Sequence, residues 1–371
     1  MNRAIEMVSS SSCPPVQPFM KEHGGNIYRA SEKTGIPISR IMDFSASINP
    51  LGVPKSVVQA IQESIRYLPH YPEPLAEQFT MQLGRHLGLD PQTILCGNGS
   101  TELIYLVARA LAPRNVLIPA PTFSEYERAC LMLRGTSCVR LVLTRENNYD
   151  IDPEEFIAAM AGCDMAFLCN PNNPTGRLLK REVVLAIAEA AERLSCYLVV
   201  DEAFIDFAPE HSVVHDVAHY SHLIVLRSLT KYYALSGLRI GYGVFPRSVA
   251  GLMRDHKEPW TVNSLAQKAG SVALNDQAYQ EKTIAVIKEG KQFFEKGFRD
   301  LGLDYVPSAV NYYLLRLLNA KAAIGSLQKK GILIRDCSNF PGLDGSYVRV
   351  AVRALEENAA LLKELAGSCA R

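Results

Sequence analysis

The sequence predicts an α/β fold with a large domain, built on a mostly parallel sheet, and a smaller α+β domain. Three observations carry that expectation. From Ile94 to Phe245, short apolar runs alternate with amphipathic helical stretches, the pattern of strands buried on both faces and joined by helices. Past Trp260 the alternation gives way to two long helical segments, then to short mixed strands and helices. The chain's 371 residues are also more than one hydrophobic core ordinarily serves.

Two amphipathic helices come first. Val57, Val58, Ile61 and Ile65 follow Pro54 at helical spacing, and Leu75, Phe79, Leu83 and Leu87 recur every fourth residue. Six apolar runs then read as strands, at 94–96, 116–118, 165–169, 197–200, 223–226 and 240–245. Between them lie stretches such as 182–193, apolar on one side and charged on the other. Helices are expected near 265–274 and 278–301, followed by a strand at 312–317, a helix at 320–330, and strands at 332–335 and 347–352. This divides the chain into an arm over 1–50 that joins the small domain, a large domain over 51–260 and a small domain over 261–371.

Composition narrows the function classes. Hydrophobic residues make up 48% and charged residues 21%, with a net charge of +1 and no long block of either sign. That argues against a nucleic-acid or anionic-membrane partner. No apolar run approaches the roughly 20 residues of a membrane helix. Residues 1–18 are rich in Ser and Pro, lack the apolar core of a signal peptide, and read as a poorly ordered leader. The nine cysteines form no CxxC pair, and Cys96, Cys169 and Cys196 sit inside apolar runs. No disulfide framework or metal site is expected, and the location that fits is cytoplasmic.

Ligands of open α/β sheets collect at the carboxyl ends of the strands. After the run at 94–96 comes Gly97-Asn98-Gly99-Ser100-Thr101, leading into a helix whose free N–H groups would attract a phosphate. Alone, this is a weak signal, since a turn with a Ser or Thr cap is the commoner explanation. Asn170-Pro171-Asn172-Asn173-Pro174-Thr175-Gly176 could be only a loop, and Asp201, directly after its strand, only a helix cap. The next segment is more specific. The run at 223–226 leads into Arg227-Ser228-Leu229-Thr230-Lys231, then Ser236-Gly237-Leu238-Arg239. Arg239 can hold a phosphate through two parallel hydrogen bonds, with Ser228 and Thr230 adding more, while Lys231 suits an aldehyde. One ligand carries both groups, pyridoxal 5′-phosphate (PLP).

This segment resembles the lysine region of fold-type I PLP enzymes of the aspartate aminotransferase superfamily, and the likeness runs from His23 to about Arg353. The resemblance implies that Lys231 forms the Schiff base and later moves protons at Cα. It implies that Asp201 pairs with the pyridinium nitrogen, so the ring acts as an electron sink. Asn173 would reach the phenolic oxygen and Phe123 would stack on the ring. Gly99, Ser100, Thr101, Ser228, Thr230 and Arg239 would hold the phosphate. Tyr71, in His70-Tyr71-Pro72, would reach that phosphate across the interface of an obligate homodimer with shared active sites. The chain departs from the pattern at Phe204, where many aminotransferases carry a tyrosine that reaches the phenolic oxygen.

Two branches of the superfamily compete, histidinol-phosphate aminotransferases and the threonine-phosphate decarboxylases of cobalamin synthesis. His23-Gly24-Gly25-Asn26, followed by Asp43-Phe44-Ser45-Ala46-Ser47-Ile48-Asn49-Pro50, looks like the decarboxylase signature. In the superfamily the residue matching Arg349 binds the substrate α-carboxylate, and Arg335 matches one that meets a second anion. A phosphorylated amino acid carries both anions. The resemblance thus implies decarboxylation of L-threonine O-3-phosphate, or of L-serine O-phosphate, through an external aldimine and a quinonoid. The product would be the phosphoamine of the corrinoid nucleotide loop. Arg349, Arg335, Asn173 and a clamp near His23, Gly24, Ser45, Ser47 and Asn49 would bind the substrate. Ser47 stands where the family has an asparagine, which leaves the choice between the two substrates open. A histidinol-phosphate aminotransferase is the alternative enzyme and a non-catalytic PLP-fold module the alternative outside enzymes. A Rossmann dehydrogenase is excluded because no GxGxxG follows an early strand.

Overall fold

The computed structural model describes residues 5–9 and 23–369. It opens with strand β1 (Ile5–Ser9), helix α1 (Ile27–Thr34), strand β2 (Met42–Asp43) and helices α2 (Lys55–Ser64) and α3 (Glu77–Leu87). Alternation follows: β3 (Ile94–Gly97), α4 (Ser100–Leu111), β4 (Asn115–Ala120), α5 (Glu125–Leu131), β5 (Ser137–Val142), α6 (Pro153–Met160), β6 (Met165–Cys169) and α7 (Arg181–Leu194). Then come β7 (Tyr197–Asp201), β8 (Leu223–Ser228), β9 (Gly241–Val244) and α8 (Arg247–Asp255). The last part holds α9 (Ser264–Ala273), α10 (Gln277–Asp300), β10 (Asp304–Tyr305), β11 (Tyr312–Arg316), α11 (Ala320–Lys329), β12 (Ile332–Leu333), β13 (Arg335–Asp336), β14 (Tyr347–Ala351) and α12 (Leu355–Cys369).

The large sheet has eight strands in the order β1-β5-β4-β6-β7-β8-β9-β3. From β5 to β8 all pairs are parallel, and β1, β9 and β3 add antiparallel pairs. The central strands are continuous apolar runs because both faces are covered, and their side chains alternate between two cores. Ala166, Leu168, Leu198, Val200, Leu223 and Val225 enter one core. Phe167, Val199, Ile224 and Leu226 enter the other, beneath α4 and α5. The same period of two places Cys169, Asp201 and Ser228 on the α4–α5 face at the strands' carboxyl ends. Glu202 and Arg227, each one residue away, turn to the opposite face.

A second sheet, β10-β11-β14-β13, is antiparallel and packs on α10, α11 and α12. β2 pairs in parallel with β12, and the Ala351 N–H donates to the Phe44 carbonyl (2.9 Å), so the loop after β2 lies against β14.

Four features differ from the sequence reading. Residues 5–9, placed in a poorly ordered leader, form an edge strand paired with β5, because five successive residues find an open antiparallel partner. β5 itself was not foreseen: Ser137 and Arg140 interrupt its apolar run, as suits a strand near the edge. The single strand expected at 332–335 is two short ones in different sheets, divided at Ile334. Leu75 lies ahead of α3, whose preceding residue Ala76 has a left-handed φ of 55°.

The second sheet's core is an aromatic stack. Phe298 is fully buried, parallel to Phe294 at 5.1 Å and edge-on to Tyr313 at 5.4 Å. Phe298→Ala is expected to cost about 3–5 kcal/mol, read as a lower denaturant midpoint.

Candidate active site

One cavity of about 360 Å³ opens at the carboxyl ends of β6, β7 and β8. Ser100, Thr101, Ser228, Thr230 and Arg239 line one end of it, with Lys231 among them. α4 begins at Ser100, so its first N–H groups lack helical partners and face this end. The Ser228 and Thr230 hydroxyls are 2.7 Å apart, and both residues are buried. Gly99 contributes space rather than contact. Its φ is 76°, and a Cβ there would sit 2.4 Å from the Arg239 Nη2, so the guanidinium occupies the volume a side chain would take. Arg239 itself holds a left-handed φ of 59°, and its Nη1 donates to the Ser236 carbonyl (3.3 Å).

Asp201, 3% exposed at the end of β7, accepts from the Tyr126 hydroxyl (2.6 Å) and the Ala203 N–H (3.0 Å). Burial pushes its carboxyl up, against those two hydrogen bonds and the charge of Lys231. Burial also lowers the Lys231 ammonium to about 8, helped by Arg349 and Arg239 and opposed by Asp201. The result is an amine neutral in mild base, as attack on a carbonyl requires. Tyr126 is stacked on Phe167 at 4.8 Å and meets the edge of Phe123 at 5.7 Å; Phe123 lines the cavity. Phe204 also lines it, edge-on to Tyr312 at 5.0 Å. The Tyr312 hydroxyl donates to the Asn172 carbonyl (2.8 Å), so it does not replace the hydroxyl that Phe204 lacks.

Across the cavity stand two arginines. β13 and β14 pair Arg335 directly with Arg349, which sets both side chains on one face of the sheet. Each is 7% exposed and lines the cavity. Arg349 donates to the Ser45 carbonyl (2.9 Å) and to the Asn173 side-chain oxygen, and lies over the Tyr312 ring at 5.1 Å. Arg335 donates to Asn339 (2.9 Å) and lies 5.4 Å from the Phe340 ring. Among the described residues the buried Arg349 Nε and Ser47 Oγ have no hydrogen-bond partner. Buried polar atoms are seldom left so, and both belong to residues that line the cavity, where a ligand could satisfy them. His23, Gly24 and Ser45 complete this side.

The opposite face of the sheet carries a buried ion pair. Arg227 donates to Glu202 (3.3 Å) and Asp206 (2.5 Å), while Glu202 also accepts from the Ser212 hydroxyl (2.6 Å) and the Val213 N–H (2.7 Å).

Gly99, packed against Arg239, and Tyr71, expected to serve the partner subunit's site, do not line this chain's cavity, and neither does Asn49. Asn49 is buried behind it. Its amide donates to the Tyr232 carbonyl and the Thr283 hydroxyl (both 2.7 Å), and its N–H to the Lys231 carbonyl (3.1 Å), so it braces the lysine's loop rather than a ligand. Tyr71 is 85% exposed, with its ring 5.5 Å from that of Trp260. Conversely, the sequence reading passed over Tyr126 and Glu125. Their position just after Phe123 was the available signal, but their targets, Asp201 and His23, are far away in sequence.

The donor set fits PLP. Hydroxyls, a helix start and Arg239 suit its phosphate, Lys231 its aldehyde, Asp201 its ring nitrogen and Phe123 its ring face. Two outcomes follow from the geometry. In cofactor-free protein, labelling of Lys231 by trinitrobenzenesulfonate, mapped by mass spectrometry, should rise with pH through about 8, because the amine is neutral above that value. Tyr126→Phe should lower kcat about tenfold or more, the scale of a lost hydrogen bond to a charged group, with Lys231 labelling retained.

The family model described as aminotransferase class I and II matches residues 39–365. The chain is 40% identical to threonine-phosphate decarboxylase of Salmonella typhimurium over 351 residues, 94% of this chain and 96% of that protein. The crystal structure of L-threonine-O-3-phosphate decarboxylase from Porphyromonas gingivalis superposes with a TM-score of 0.79 at 29% identity, covering 89% of this chain and all of that one (100%). Histidinol-phosphate aminotransferase from Clostridium acetobutylicum superposes with a TM-score of 0.83 at 33% identity, covering 89% and 99%. Fold, donor set and sequence therefore agree: the chain is a PLP-dependent enzyme of fold type I and belongs to the class I and II aminotransferase family.

Proposed function

We propose that this enzyme decarboxylates an O-phosphorylated amino acid, L-threonine O-3-phosphate or its serine counterpart, as a cytoplasmic homodimer. The observation that supports this most directly is the facing pair Arg335 and Arg349, set across the cavity from the phosphate cradle of the cofactor. Two buried guanidiniums match a substrate with two anions. The 40% identity to a threonine-phosphate decarboxylase favours the same reading. On this reading the enzyme releases a phosphoamine suited to the corrinoid nucleotide loop.

When bound, PLP supplies the electron sink that accepts the pair left as the carboxylate departs. The protein's part is orientation. Arg349 would grip the α-carboxylate and so set the orientation in which the Cα–carboxylate bond is presented to the cofactor. Arg335 and His23 receive the substrate phosphate, with Gly24, Ser45 and Ser47 walling that end. Asp201 keeps a proton on the ring nitrogen, and Tyr126 fixes the carboxylate that does so. Asn173, its oxygen taken by Arg349, offers its amide N–H to the phenolic oxygen. Lys231 holds the cofactor and afterwards delivers a proton to Cα. Ser100, Thr101, Ser228, Thr230 and Arg239 retain the cofactor phosphate, with Gly99 leaving room for the arginine. Tyr71, exposed in the single chain, reaches that phosphate in the partner subunit.

The deciding assay measures carbon dioxide released from threonine phosphate and from serine phosphate while the cofactor absorbance is followed. Stoichiometric release with the absorbance preserved is expected, and the faster substrate identifies the preferred one. No release, with conversion to pyridoxamine phosphate on adding histidinol phosphate, would replace this reading by an aminotransferase. Lys231→Ala should abolish turnover and the long-wavelength band. Arg349→Ala should weaken substrate binding roughly 30-fold or more, the low end of what truncating one partner of a buried charge pair costs.

A further inference from the structure

A buried carboxylate at the rim of a cavity that takes anions needs an explanation, and Glu125 is one. It is the first residue of α5, lines the cavity together with Phe123, and is 5% exposed. Its Oε1 lies 3.0 Å from His23 Nε2. Its Oε2 accepts from the Tyr105 hydroxyl (2.6 Å) and lies 3.5 Å from an Arg128 nitrogen. Burial alone would favour the neutral acid, but the hydrogen bonds from His23 and Tyr105 and the charges of His23 and Arg128 outweigh it, and its pKa falls below the usual carboxylate range. Facing an incoming phosphate directly, such a group would only repel it.

The arm explains the arrangement. Gly24 passes so close to the loop after β2 that a Cβ on it would lie 2.2 Å from the Ser45 carbonyl oxygen. The Gly25 N–H donates to the Ser45 hydroxyl (2.8 Å), and the Ser45 carbonyl takes Arg349 (2.9 Å). One edge of the arm is thus tied to the arginine side of the cavity. The other edge reaches the large-sheet side through the contact between His23 and Glu125, beside the Phe123 ring at 6.0 Å. With Nε2 engaged, Nδ1 is the ring's remaining hydrogen-bonding atom. An otherwise half-exposed imidazole is thereby ordered before any ligand arrives, which removes an entropy cost from binding.

We propose that Glu125 is a positioning residue for the substrate phosphate. It acts through His23, by orienting the imidazole and fastening the arm across the cavity mouth, and it sets KM for phosphorylated substrates more than kcat. This rests on the reading that the substrate's phosphate lies on the His23 side.

The test is a double-mutant cycle in the holoenzyme with Glu125→Ala, His23→Ala and the double variant, assayed with O-phospho-L-threonine and with L-threonine. Glu125→Ala should raise KM for the phosphorylated substrate more than about tenfold, the scale of a hydrogen bond to a charged group, with a smaller loss in kcat and the cofactor absorbance intact. In the His23→Ala background the same change should add almost nothing. Glu125→Gln, isosteric and still an acceptor, should fall between and keeps the test standing if the alanine variant does not fold. Additive losses, an unchanged KM, or equal changes for threonine and its phosphate would overturn the proposal. If wild type releases no carbon dioxide, the decarboxylase reading fails by itself. The cycle is then read from the Kd of inorganic phosphate, by its perturbation of the cofactor absorbance, and non-additivity there still supports the role of Glu125.

Discussion

The site depends on how two adjacent parallel strands end. β7 and β8 each place one chemical residue on the cavity face and a charged neighbour on the other face. Asp201 and Ser228 turn one way, Glu202 and Arg227 the other. The Glu202–Arg227 pair is buried, with Glu202 at 0% exposure, and Asp206, Ser212 and the Val213 N–H supply further partners. Breaking such a pair leaves an uncompensated charge and costs about 3–5 kcal/mol. That pairing ties the two strand ends together, so the spacing between Asp201, Ser228 and Lys231 is held from behind.

Charge is arranged by the same logic. Lys231, Arg239, Arg335 and Arg349 share one cavity with two buried carboxylates, Asp201 near the lysine and Glu125 beside His23. Mutual repulsion contributes to the lowered pKa of Lys231 and would destabilise the empty site. The cations stand at two ends of the cavity, Arg239 by the start of α4 and the Arg335–Arg349 pair on β13 and β14. The cost of assembling the cations is carried by two cores and by braces such as Asn49, which holds the loop of Lys231 from inside.

Much of the large domain was legible because its physics is local. A strand covered on both faces must be a continuous apolar run, and 165–169, 197–200 and 223–226 are such runs. Lysine, hydroxyls and arginine after the last of them pointed to PLP, and the structure gathers Ser228, Thr230, Lys231 and Arg239 around one cavity. The edge strands were not legible, since Ser137–Val142 carries Ser and Arg and residues 5–9 gain strand character only by pairing with it. Asn49 shows the reverse error: it lies in the right loop, but its side chain turns inward to Tyr232 and Thr283.

The sequence by itself determined the fold class, from the alternation over 94–245, and the cofactor, from residues within one loop, because both signals are patterns of near neighbours along the chain. Only the tertiary structure decided that Arg335 faces Arg349, that Tyr126 fixes Asp201, and that Glu125 fastens His23 across the cavity. Those contacts join residues separated by 14, 75 and 102 positions. Hydrogen bonds and strand registers act over a few ångströms, and no pattern along the chain encodes which distant groups will come within that range.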